Sequence, residues 1–135
     1  MNWEYSCGGV VFTRHGGQIR YVLVEEAAGK VSFPKGHMEG NETEIETARR
    51  EIFEETGLRP AFLEGFCLRD SYQLAEKPGT SKRVTYFLAE FGDETLIPRE
   101  GEIMSIRLLH YEEALPLFRE NNQRVLTAAH EFLTK

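Results

Sequence analysis

Residues 41–60 place two opposed chemistries on one helix, and few folds can use such a segment. Ile45, Ala48 and Ile52 recur at helical period on one face, so that face must pack against a core. Glu51, Glu54 and Glu55 are spaced three and four apart and project together toward another side. Asn41 and Glu44 have capping-box spacing at the start. Thr56-Gly57 ends the helix, with Gly57 suited to the left-handed position and Pro60 barring continuation. Like charges at such spacings destabilise an isolated helix by roughly a few tenths of a kcal/mol per pair. The bland explanation is a solvated acidic face. Against it stands the loop Phe33-Pro34-Lys35-Gly36-His37, whose glycine can bring backbone carbonyls close to a bound ion. Hard divalent cations take few carboxylates and complete their shells with water and phosphate, and a carboxylate cluster beside an open loop supplies that arrangement.

The flanking sequence predicts a mixed sheet clasped between helices, an α/β (α+β) arrangement within one domain over 1–135. Residues 5–14 and 19–26 are β-branched and aromatic and flank Gly16-Gly17, which predicts a hairpin. Further strands are expected at 61–72, 82–91 and 103–109, with Lys77-Pro78-Gly79-Thr80-Ser81 as a loop. A helical turn at 111–117 is separated by Pro116 from a terminal helix carrying Val125, Leu126, Ala129, Phe132 and Leu133.

The bulk properties exclude several function classes. The net charge of -6 disfavours steering toward a long nucleic acid. A phosphate compound would then need bound cations or a local basic patch. No apolar run approaches the roughly 20 residues that span a bilayer. Met1-Asn2-Trp3-Glu4 carries no leader-like pattern, so the expected compartment is the cytoplasm. Cys7 and Cys67 lack metal or redox spacing and are expected to be small buried residues.

Gly36, Glu42, Arg50-Glu51-Ile52, Glu54-Glu55 and Gly57-Leu58 fall at the spacing of the Nudix box, which this chain resembles at every specified position from 36 to 58. The resemblance implies a Nudix fold and a hydrolase that cleaves a phosphoanhydride in nucleoside-diphosphate-linked substrates. It implies magnesium, or manganese, held by Glu51, Glu54, Glu55 and the Gly36 carbonyl. Arg50 would help orient a glutamate, and Glu42 would support the loop–helix geometry. The general base stays open between a box glutamate and one in a later loop, with Glu102 ahead of Glu100.

The flanks are similar to the asymmetric diadenosine tetraphosphate hydrolases, in the Phe33–His37 run and in Tyr72 and Lys82–Glu90. That likeness implies that Tyr72 and Lys82 help hold the substrate. Lys35, Lys82 and Arg83 have the charge to meet phosphates, Tyr72 and Tyr86 the rings to stack on a base, and His37 sits beside the loop glycine. The competing reading makes Tyr86 core and gives Lys82 and Arg83 to the protection of an edge strand. The expected partner is a small nucleotide, met by a monomer or homodimer. The alternatives are a (d)NTP pyrophosphohydrolase releasing a monophosphate and pyrophosphate, diphosphoinositol or RNA 5′-end substrates, and a catalytically silent nucleotide-binding module.

Overall fold

The computed structural model describes residues 2–135. Its strands are β1 (Asn2–His15), β2 (Gln18–Glu26), β3 (Val31–Ser32), β4 (Lys35–His37), β5 (Ala61–Gln73), β6 (Thr80–Glu90) and β7 (Ile103–His110). They form a seven-stranded sheet in the order β3-β2-β1-β6-β5, with β7 added to β2 and the short β4 to β1. β1 runs parallel to β6 from Asn2↔Thr80 to Phe12↔Glu90, and every other pairing is antiparallel, so the sheet is mixed. The β1–β2 hairpin closes through Gly16 and Gly17 at φ 58° and 80°, the doubly left-handed turn whose twist matches its strands.

Central position explains the composition of β1. Ser6 to Thr13 are buried without a break, because both faces of the strand are covered. Val10, Phe12, Tyr21, Leu23, Val84, Tyr86 and Leu88 point to one side and join Phe118, Val125, Leu126 and Ala129. Val11, Val22 and Phe91 point to the other and join Ile52 and Leu58. The first side is covered by α2 (Tyr111–Ala114), a 3-10 turn at Leu115–Leu117 and α3 (Glu120–Leu133); the second is covered by α1 (Glu44–Thr56). Helices on both faces of a mixed sheet are what the sequence predicted. The strand bounds differ from expectation by up to three residues; β4 forms within the run Phe33–His37 expected as a loop, and β3 where the sequence reading assigns no element.

The cap of α1 differs from the expected Asn41–Glu44 pair. Thr43 is extended and accepts from Glu46 N, while the Glu46 side chain accepts from Thr43 N at 2.8 Å. Glu44 is already the first helical residue, and its carboxylate turns away to accept from Thr85 Oγ1 at 2.6 Å. At the other end Gly57 takes φ 77° and donates its N–H to Phe53 O, as an αL cap requires.

Three further expectations are corrected. Cys7 is buried, but Cys67 is exposed, since β5 lies at one edge of the sheet and none of its residues is fully buried. β6 lies between β1 and β5, so Lys82 and Arg83 do not guard an edge. Arg83 is turned to the α1 side, over the Tyr5 ring at 4.9 Å and 3.8 Å from Glu44 Oε2, away from the side that carries Lys82.

Candidate functional site

The acidic face of α1 is not solvated. Glu51 and Glu55 are 8% and 5% exposed, which removes the bland reading for two of the three carboxylates. Burial, and then neighbouring Glu51, pushes the Glu55 carboxyl up to about 8 against the pull of Lys35. Burial raises Glu51 as well, opposed by its bond to Arg50. A side chain at Gly36 would collide with the Glu51 carboxyl group, so only glycine lets the β4 backbone approach these oxygens.

One arginine ties this cluster to the loop before it. Arg50 donates from Nε to Glu42 Oε2 at 2.6 Å and from Nη2 to Glu42 Oε1 at 3.0 Å. Nη2 also donates to the His37 carbonyl at 2.8 Å, and Nη1 to Glu51 Oε2 at 2.9 Å and Glu54 Oε1 at 3.2 Å. Glu42 in turn accepts from Thr47 Oγ1 at 2.8 Å and Glu39 N at 2.9 Å. The bond from Arg50 is the main reason its carboxyl is held down at about 2. Arg50 is therefore a hub joining β4 to α1 rather than a lone surface ion pair.

A cleft of about 300 Å³ opens over this cluster, with Gly36, His37, Glu51, Arg99 and Glu102 among its walls. Glu102 reaches it from the loop before β7; Glu100 does not line it. Arg99, which sequence reasoning passed over, holds Glu54 Oε1 at 3.2 Å and Glu102 Oε2 at 3.2 Å. Among the described residues no three acidic, His or Cys side chains already converge on one ion position. Glu54 is drawn instead to Arg50 and Arg99. The donor set is still one that a hard cation fits: two buried carboxylates, with Glu51 raising the protonation of Glu55, beside a backbone position kept bare of side chain.

A second cleft, about 430 Å³, lies on the α3 side and includes Tyr72, Lys82, Tyr86, Asn122, Arg119 and Lys35 in its lining. Tyr72 stands across from Lys82 in the β5–β6 register. Tyr86 is 2% exposed, with its ring packed edge-on against Phe33 at 5.5 Å and its hydroxyl donating to Asn122 Oδ1 at 3.3 Å. It thus floors the cleft and offers no free ring face for stacking. His37 stands at the mouth of the smaller cleft, 65% exposed and 3.8 Å from Glu4. Lys35 and Lys82 line both clefts and have no acidic partner within ion-pair distance among the described residues. Burial, then Lys82 and Lys30, lowers Lys35 to about 8; burial and Lys30 lower Lys82.

The NUDIX domain family model matches residues 5–129. The chain belongs to the Nudix family. It is 33% identical over 141 residues to the asymmetrical bis(5′-nucleosyl)-tetraphosphatase of Mus musculus, covering 95% of this chain and 94% of the relative. Among solved structures it is similar to a binary complex of the C. elegans Ap4A hydrolase, at a TM-score of 0.88 and 22% identity, over 97% of this chain and 98% of that one. The NUDIX domain of Shewanella oneidensis NrtR, complexed with ADP ribose, superposes at a TM-score of 0.78 with 15% identity, covering 98% and 90% of the two chains. At those identities the two structures speak for the fold. The chain is a Nudix pyrophosphohydrolase, of a family that acts on small nucleotides and generally uses divalent metal ions. No helix is long and apolar enough to cross a membrane among the described residues.

Proposed function

We propose that this Nudix hydrolase splits a dinucleoside polyphosphate asymmetrically, diadenosine tetraphosphate to ATP and AMP. The observation that carries this reading is the pair of unpartnered, half-buried lysines, Lys35 and Lys82, shared by the carboxylate cleft and the Tyr72 cleft. A substrate that joins a flat base to a long anionic chain fits such a layout, and the larger cleft is within the usual size of a ligand pocket. Tyr72 then packs on one base, and Lys35 and Lys82 hold phosphates along the seam. The likeness to the Mus musculus tetraphosphatase over nearly the whole chain supports the same substrate class.

Glu51, Glu54, Glu55 and the Gly36 carbonyl would hold magnesium, or manganese. When bound, that ion neutralises charge on the phosphates and lowers the pKa of the attacking water. Arg50 fixes the direction of Glu51 and ties it to the His37 carbonyl. Glu102, close to Glu51 in the cleft lining, accepts the proton as water attacks phosphorus; an oxygen–phosphorus bond forms and the bond to the bridging oxygen breaks. His37 at the rim meets the outgoing phosphate. We further take residues 1–135 to act as one domain, in the cytoplasm, as a monomer or homodimer.

Product analysis with magnesium tests this directly, on diadenosine tetraphosphate beside a panel of dNTPs. ATP and AMP from the dinucleotide are expected, with Glu54→Gln slower by at least ~100-fold, the scale of losing one group that stabilises developing charge. Cleavage of a dNTP to its monophosphate and pyrophosphate, with the dinucleotide untouched, would refute the substrate and leave the family chemistry standing.

A further inference from the structure

Ser6 is 1% exposed, and its Oγ is the one buried side-chain polar atom without a hydrogen-bond partner among the described residues. Buried hydroxyls are nearly always paired, so an orphan calls for a partner the protein itself does not provide. Ser6 also lines the smaller cleft, together with Lys35, Gly36, Glu51 and Lys82. The register of β1 explains its company. Gly8 pairs with Lys35 on β4, and Glu4 pairs with Lys82 on β6. Ser6 is the residue between them on the same face of β1, so its hydroxyl lies on the seam where the two shared lysines approach from opposite sides. A group that both lysines attract is anionic, and it offers oxygen acceptors to a hydroxyl with none of its own.

We propose that Ser6 is a substrate-binding residue whose hydroxyl donates a hydrogen bond to a phosphate oxygen of the bound nucleotide, completing with Lys35 and Lys82 a three-donor phosphate subsite between the carboxylates and the Tyr72 cleft. This rests on the reading that a nucleotide polyphosphate spans the two clefts, and it adds a contact that lies outside the 36–58 box. The hydroxyl grips the phosphate chain already in the ground state, so it contributes to affinity rather than to the chemical step. Removing it from the free protein takes away an unsatisfied polar atom and leaves no new one behind, so stability should hold or rise.

The test compares wild type with Ser6→Ala and Ser6→Cys. Calorimetry with magnesium and the α,β-methylene analogue of ATP, which is not cleaved at that position, reads affinity without turnover. The affinity of Ser6→Ala is expected to fall about 10-fold or more, as for loss of one hydrogen bond to a charged group. KM should rise in step, kcat should stay within about twofold, and the melting temperature should be unchanged or higher. Ser6→Cys keeps the shape and offers only a weak donor, so it should bind as poorly as the alanine variant. Equal affinity in wild type and Ser6→Ala would overturn the assignment while leaving the substrate reading intact. So would full affinity in Ser6→Cys, or a lost melting temperature that accounts for the loss of binding. A wild-type protein that binds no nucleotide would take both readings down together.

Discussion

Gly8→Ala should damage activity and stability together, although Gly8 contacts no carboxylate of the site. A Cβ built on Gly8 would collide with the Pro34 carbonyl oxygen and would lie 2.5 Å from Lys35 Cβ and 2.6 Å from Lys35 Cα. Carbon atoms rest at about 3.5–4.0 Å, so β1 and β4 must part by about 1 Å to admit the methyl group. The neighbouring bond from Gly9 N to Pro34 O, now 3.2 Å, would stretch beyond use, and Gly36 would move with its strand. Overpacking of this kind costs about 1–3 kcal/mol, and the lost bond adds about 1. For a chain of this size each kcal/mol is worth roughly 3–5 °C, so the melting temperature should drop by about 6–20 °C. Displacing the Gly36 carbonyl by about 1 Å from its carboxylates should cost about 100-fold in kcat/KM. Thermal melting and steady-state kinetics read the two effects. Gly17→Ala is the control: it strains φ at 80° but has no atom within 4 Å of the added carbon. It should cost about 1–2 kcal/mol and leave kcat/KM unchanged. A Gly8→Ala protein with wild-type melting and kinetics would refute the claim that β1 sets the position of β4.

Three further outcomes follow from the side-chain network. Glu42 is held near 2 in the fold against an ordinary 4.5; its bond to Arg50 therefore stabilises fully above about pH 4.5 and is lost as pH falls toward 2. Wild type should lose its stability advantage over Glu42→Gln across that window, and parallel melting curves of the two against pH would contradict it. Arg99→Ala removes a cation that competes for Glu54 and Glu102, so half-saturation by magnesium should fall by about 2–5-fold, the scale of an exposed ion pair; a rise would mean that Arg99 assists the ion. Lys82→Ala should raise KM by about 10-fold with kcat nearly constant, and its KM should depend less on salt than that of wild type.

What could be read in the sequence was whatever is encoded by spacing along the chain. The period of Ile45, Ala48 and Ile52, the stop at Gly57 and the hairpin at Gly16-Gly17 are local, and the structure has them. The cap was misplaced by two residues because Asn41 and Glu44 satisfy the same spacing rule as Thr43 and Glu46, and only backbone angle decides between them. The direction of Arg83 went the same way: two adjacent cations look alike in a sequence, but a strand sends them to opposite faces.

The site divides along the same line. The helix supplies Arg50, Glu51, Glu54 and Glu55 at fixed offsets, so their proximity is a property of α1 alone. Ser6, Arg99 and Asn122 are brought in from β1, the loop before β7 and α3 by the sheet, and no short-range pattern marks them. Their signals are differences between a side chain's needs and its surroundings: a hydroxyl without a partner, an arginine shared by two acids, an amide oriented by a buried tyrosine. Such mismatches exist only once the chain is folded. The residues that tune what the cleft accepts are therefore expected among these tertiary contacts, as is Glu102, the proposed base, while the carboxylates proposed to hold the metal lie within one helix.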